Sequence, residues 1–301
     1  MKFSTLIGLI FVLGNTVLYA ADLQPETLRV WDSTVNKIEQ RMSAEMSMSQ
    51  GFLSLDFQDS GDATRERDRI LTGDIPIDQI GNRKTTLIPN GMIHHWRGTV
   101  FIPGVDLDFV LARVADPRLE DSRQEDVLES RVLEQRPGEL KMYLKLQRTK
   151  IVTVVYNTEH LVRYQRLGTT EASSRSVATK IAEVDYLHDG TEREKPEGHD
   201  HGYLWRMNSY WRYQEVKEGV IVECESLTLS RSIPGVLEYM VRPLINSVAR
   251  ESMRRTLESL RTRLVRANQR AAQYSKECNA AAEIWWEMRT TYQRRTQLLW
   301  L

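Results

Sequence analysis

The stretch from Ser232 to Arg266 leaves this chain few folds to choose from. From Pro234 and Gly235 onward, Leu237, Met240, Val241, Leu244, Ile245, Val248, Met253, Leu257, Leu260 and Leu264 recur mostly at three- and four-residue steps, which predicts one long amphipathic helix. At about 1.5 Å per residue such a helix spans roughly 40 Å, enough to cross a whole small sheet. Burying its apolar stripe is worth on the order of 10–20 kcal/mol as an upper bound, before chain entropy is subtracted. Pro243 inside it predicts a bend, since proline leaves one backbone acceptor unpaired.

Nearly everything before that helix reads as strand. From Met92 to Ile102, Trp96, Gly98, Val100 and Ile102 fall on one face and His95, Arg97, Thr99 and Phe101 on the other. Pro103-Gly104 ends the run, and Asp106 is placed to cap a short helix carrying Leu107, Val110, Leu111 and Val114, which stops near Asp116-Pro117. Strands are then expected at about 124–134, 140–149, 150–157, 159–167, 173–185, 203–215 and 219–231. Their breaks are Arg136-Pro137-Gly138, Asn157-Thr158, Gly168, the loop from Asp189 to Gly202, and Lys217-Glu218-Gly219. Breaks this short imply antiparallel neighbours.

Upstream, Leu28, Trp31, Val35, Ile38 and Met42 predict a short amphipathic helix with Pro25 in its first turn. Residues 56–90 read as a loop-rich connector whose Ile70, Leu71, Ile75, Ile77 and Ile80 pack against something. Before all of this, a single charge, Lys2, precedes the apolar run Leu6 to Leu13. That pattern predicts a secretory signal peptide over residues 1–20, with an uncleaved N-terminal anchor as the alternative because Leu18 or Tyr19 stands where cleavage favours a small residue. The expected location is secreted or periplasmic. No cysteine lies near the cleavage point, and no Asn-x-Ser/Thr sequon occurs anywhere, which favours a bacterial envelope. Cys224 and Cys278 could pair in such a compartment, although Cys224 sits among Val220 and Val222 as a small buried residue would.

The order of strand, short helix, about six antiparallel strands and a long C-terminal helix is that of the helix-grip fold, an α+β arrangement in which a curved antiparallel sheet wraps a long helix. Trp96-Arg97-Gly98-Thr99-Val100-Phe101-Ile102-Pro103-Gly104 with the helix that follows it, and Ser230-Arg231-Ser232-Ile233-Pro234 before the last helix, resemble the START-like superfamily of lipid-transfer, pollen-allergen and polyketide-cyclase proteins. The resemblance covers about residues 90–265 and implies an apolar cavity between sheet and helix without naming its ligand. The expected organisation is a signal peptide (1–20), an N-terminal helix and connector (21–89), a START-like domain (90–266) and a basic tail with tryptophans (267–301).

The cavity wall is expected to include Trp96, Val100, Trp205, Met207 and Trp211 from the sheet and Val241, Leu244 and Ile245 from the helix. Tyr203, Trp205, Met207, Trp211 and Tyr213 alternate along one strand and make that face aromatic, as either core or pocket. Arg163, Arg175, Arg206 and Asn208 could orient a ligand if they pointed inward. His199, Asp200 and His201, with His188 upstream, are neighbours on a loop and make a poor metal cradle, so no metal ligand is assigned. The chain has no Gly-x-Ser-x-Gly, phosphate loop, Cys-x-x-Cys or His-Glu-x-x-His, so no catalytic residue and no cofactor is assigned.

The first expectation is therefore a non-catalytic binding protein for a hydrophobic small molecule or lipid. The alternatives are a cyclase or aromatase-type enzyme using His160 or Glu223 as acid or base, and an envelope structural factor whose pocket is filled. Glu223 and Glu225 share a strand face, where exposed carboxylates are the usual case. The net charge of zero hides an asymmetry, because residues 250–301 hold eleven basic and five acidic side chains. With Trp285, Trp286 and Trp300, that end suits weak contact with an anionic membrane or docking on the acidic body, while secretion argues against nucleic acid.

Overall fold

The computed structural model describes residues 23–81, 86–116, 126–149, 153–186, 189–196, 199–232, 247–274 and 276–278. The expected signal peptide, the first half of the expected long helix and the tryptophans of the tail lie outside the described residues.

Ten antiparallel strands form one sheet. They are β1 (Ile77–Gln79), β2 (Thr86–Ile88), β3 (Gly91–Pro103), β4 (Val127–Arg136), β5 (Glu139–Thr149), β6 (Thr153–Arg166), β7 (Glu171–Tyr186), β8 (Glu192–Glu194), β9 (Arg206–Val216) and β10 (Gly219–Arg231). The order is β1-β3-β10-β9-β7-β6-β5-β4, with β2 on β3 and β8 on β7. The longest ladder joins the two strands that flank the sequence between them, running from Gly219 opposite Pro103 to Arg231 opposite Gly91. At the β4–β5 hairpin, Pro137 sets one turn position and Gly138 takes the next at φ 73°, a conformation that favours glycine.

A helix over residues 247–274, α4 in chain order, lies on the concave face. Its Met253, Leu257, Leu260 and Leu264 pack with Trp96, Val100 and Ile102 of β3, Tyr213 of β9 and Val220 and Val222 of β10. A Cβ on Gly98 would stand 2.7 Å from Leu257 Cδ1 and 2.9 Å from Met253 Cγ, so a bare backbone is what lets the helix sit this close. The short helix α3 (Leu107–Val114) closes one end, and Asp106 caps it by accepting from the Phe109 amide at 2.7 Å. This is the expected helix-grip arrangement. The final helix continues past the expected end near 266, because the Ala, Asn, Gln, Arg and Tyr residues that follow include neither glycine nor proline.

The convex face of the sheet is also covered. Helix α1 (Pro25–Ser47) lays Trp31, Val35, Ile38 and Met42 on Ile93, Leu227, Leu229 and Tyr210. A 3-10 turn (Ser54–Phe57) and helix α2 (Ser60–Leu71) bring Phe52, Leu53, Leu55 and Ile70 onto Phe101 and Ile221. Two expectations are corrected here. Part of the connector is the helix α2, hidden by its Gly- and Asp-rich start and revealed only by its packing of Ile70. The two strands expected at 150–157 and 159–167 are the single strand β6, since Asn157 and Thr158 are held in the sheet. Asn157 accepts from Tyr143 Oη at 2.7 Å, and the Thr158 hydroxyl donates to Leu144 O at 2.9 Å.

Candidate functional site

Strand register divides the concave face into rows that cross the sheet. Nearest the C-terminal half of α4, the row of Ala172, Tyr213, Val222 and Val100 is buried throughout. Next come Tyr164, Ser174, Trp211, Cys224 and Gly98. The third row is Leu140, Val162, Ser176, Ser209, Ser226 and Trp96. Beyond it lie Met142, His160 and Ala178 on one side and Met207, Thr228 and His94 on the other. The face thus grades from a filled core into a wall of small and mixed side chains, with Ser176, Ser209, Ser226, Met207 and Met142 only partly buried.

The polar groups of this face are mostly satisfied locally. Tyr164 donates to Val114 O at 3.0 Å, tying β6 to α3, and burial lifts its phenol to about 12. Ser174 Oγ and Tyr213 Oη stand 3.2 Å apart. His94 Nε2 meets Ser230 Oγ at 2.9 Å. His160 Nε2 lies 3.0 Å from Thr158 Oγ1, whose single proton already goes to Leu144 O, so the imidazole is the donor in that pair. Its Nδ1 is then an acceptor. Burial pushes both His94 and His160 down to about 4, so both are neutral near pH 7.

Of the residues expected to line a cavity, the structure brings together Trp96, Val100, Met207 and Trp211 on the concave face, with Val100 inside the filled core. Trp205 is not with them. It precedes β9, so strand alternation does not apply to it, and its Nε1 donates to Asp200 Oδ1 at 3.1 Å. Its ring packs with Trp31, Leu227 and Leu229 under α1 on the opposite face. Val241, Leu244 and Ile245 lie outside the described residues. Arg175, Arg163 and Asn208 also turn away, bonding Glu39 at 2.7 Å, Glu139 at 2.8 Å and Tyr210 Oη at 3.2 Å. Arg206 donates to the Trp205 carbonyl.

The acid–base candidates separate as well. His160 is on the concave face, but Glu223 is on the outer one, where it accepts from Ser54 N at 3.0 Å and Ser54 Oγ at 2.8 Å. Burial raises its carboxyl, against the pull of Arg212 and Arg97. Neither Glu223 nor Glu225 is exposed, contrary to the sequence expectation. The α1 layer and the turn after it cover both, and the cations beside them come mainly from the sheet, His95 and Arg97 on β3 and Arg212 on β9, with Arg41 reaching Glu225 from α1. Arg212, fully buried, donates to Phe52 O at 2.9 Å and Glu45 Oε2 at 2.5 Å. On the flank, Glu183 accepts from Lys195 Nζ at 2.7 Å and His201 N at 3.0 Å, which ties the loop of His199 to His201 to β7. Among the described residues no cluster of metal-ligating side chains forms, and both Cys224 and Cys278 are free thiols.

The sheet is split beside this wall. Pairing of β7 with β9 ends at Val177 opposite Asn208, whereas β8 pairs β7 only from Val184, and a cleft of about 610 Å³ lined by Ala178–Ala182, Glu194–Pro196, Trp205 and Arg206 occupies the gap. A second cleft of about 490 Å³ lies between the end of α3, the β4–β5 turn and Tyr164. Sequence reasoning missed both, because each is walled by segments distant from one another in the chain.

No protein-family model matches the sequence, and no curated protein matches it. Among solved structures, the chain is similar to the STAR-related lipid transfer protein from Xanthomonas axonopodis, with 18% identity, a TM-score of 0.41, and coverage of 64% of this chain and 98% of that one. It is similar to the Zhui aromatase/cyclase from Streptomyces sp. R1128 at 12% identity and TM-score 0.40, covering 58% and 94%. Human STARD10 follows at 9% identity and TM-score 0.37, covering 71% and 83%. At identities this low the likeness is one of fold alone.

Proposed function

We propose that the protein binds a hydrophobic small molecule or lipid, without catalysis, against the concave wall beside α4. The observation that carries this is the gradient across the rows. Val100, Val222, Tyr213 and Ala172 are buried, while Ser176, Ser209 and Ser226 two rows away are small and only partly covered. Small side chains at the centre of a face flanked by Leu140, Val162, Met142 and Met207 leave room that bulkier residues would have filled. Export of the mature chain from near residue 21, and weak contact of the far C-terminal tryptophans with anionic membranes, belong to the same reading. They are supported by the apolar run after Lys2 and by the basic C-terminal composition. Among the described arginines, Arg254 and Arg261 reach the carbonyls of Ile75 and Gly73, so part of the basic segment serves docking on the body.

The test is equilibrium binding of an apolar fluorescent probe to the wild type and to Ser209→Trp. Binding in the wild type and its loss in the variant, at a stability cost of about 1–3 kcal/mol, are expected. A wild type that binds no apolar probe would leave the filled-core reading in place.

A further inference from the structure

In the third row of the concave face the three serine hydroxyls and the indole have no hydrogen-bond partner among the described residues, whereas Gln135, opposite Leu140 at the β4 edge of the row, donates to the Ala115 carbonyl. The hydroxyls of Ser176, Ser209 and Ser226 make no hydrogen bond among the described residues, though each is half covered. Trp96, beyond which the row passes to Gln79 of β1, is 5% exposed, and its indole N–H is buried with no partner among the described residues. In the adjacent rows Ser174 has Tyr213, His160 has Thr158 and His94 has Ser230, and on the opposite face the buried Trp205 has Asp200.

An indole N–H only donates, and leaving a buried donor unpaired costs about 1–3 kcal/mol. A hydrocarbon laid against this row would leave that cost in place and would also strip water from three hydroxyls. An occupant with oxygen acceptors would relieve both. The row itself holds no ionisable side chain, and the nearby Arg250 guanidinium stands over the face of the Trp96 ring, 5.8 Å from its centroid, so the acceptors that the three hydroxyls suit are neutral. Leu140 and Val162 continue the row as apolar wall, which fits a molecule that is greasy at one end and oxygenated along the other.

On the reading that this wall binds a hydrophobic ligand, we propose that the ligand is an oxygenated one, with carbonyl, ester or hydroxyl oxygens facing Ser176, Ser209, Ser226 and the Trp96 N–H, and that plain hydrocarbons and unsubstituted acyl chains are the poorer ligands. The experiment compares two matched fluorophores on the full chain. One is 6-propionyl-2-(dimethylamino)naphthalene, whose emission reports hydrogen bonding to its ketone, and the other is its deoxygenated 6-propyl analogue. The wild type is expected to prefer the ketone. Trp96→Phe, which keeps a ring and removes the N–H, and the triple variant S176A/S209A/S226A are each expected to lose about tenfold in ketone affinity with the analogue unaffected, and to shift the bound ketone's emission to the blue. Circular dichroism of each variant establishes that it is folded. Should one variant fail to fold, the other, together with the wild-type preference, still decides. Equal affinity for both probes, equal losses in the variants, or tighter binding of the propyl analogue would overturn the assignment while leaving the binding function standing. Binding of neither probe by the wild type would remove both.

Discussion

Nε2 of His95 stands 2.6 Å from Oε1 of Glu225, a carboxylate with no exposed side-chain surface. The same carboxylate takes Arg97 at 3.3 Å and is reached by Arg41 from α1, so the N-terminal layer is attached to the sheet by charge as well as by its apolar stripe. Burial alone would raise Glu225, but the His95 hydrogen bond and the charges of His95, Arg97 and Arg41 outweigh it and hold the group at about 2.

Replacing Glu225 with Gln keeps the shape and removes the charge, leaving Arg41 and Arg97 facing a neutral amide under α1. Breaking a buried pair from one side typically costs about 3–5 kcal/mol, and a loss of that order is expected in urea unfolding, with α1 becoming sensitive to protease first. A loss under about 1 kcal/mol would mean that the apolar contacts of Trp31, Val35, Ile38 and Met42 hold the layer by themselves.

Acid should weaken the fold before the Glu225 carboxylate titrates. His94 and His160 stay neutral in the native state down to about 4, while in the unfolded chain they take protons near 6.5. Below that value the unfolded chain binds more protons, so stability falls as pH falls from about 6.5 to about 4, by up to about 3 kcal/mol for each histidine. Glu225 extends the loss from 4.5 toward 2. Urea midpoints measured against pH check this, and His160→Gln is expected to flatten the slope between pH 6.5 and 4.

Gly98 is the point of closest approach between β3 and α4. Gly98→Val would drive methyl groups into Leu257 and Met253, whose atoms already lie within 3 Å of where a Cβ would sit. The expected cost is about 1–3 kcal/mol, seen as a lower melting temperature with the sheet's circular dichroism retained. An unchanged melting temperature would show that α4 can slide to make room.

Much of the fold was legible because it is local. The apolar steps from Trp31 to Met42, the alternation from Met92 to Ile102 and the Asp106 cap each express a backbone period or a nearby hydrogen bond, and each formed as read. The same reasoning found Trp96, Met207 and Trp211 on one face. It erred at Trp205 because parity holds only inside a strand, and β9 begins one residue later.

The series of elements, and the face each regular strand residue takes, follow from neighbouring side chains, since periods of two and 3.6 residues are written there. Only the tertiary structure decided that the outer face is covered by α1 and α2, that Glu223 and Glu225 are buried beside Arg212 and Arg97, and that Ser176, Ser209, Ser226 and Trp96 share a row. Those relationships join residues tens to more than a hundred positions apart. They arise from strand register and from desolvation by a distant layer, and neither leaves a pattern in the residues next to the ones it governs.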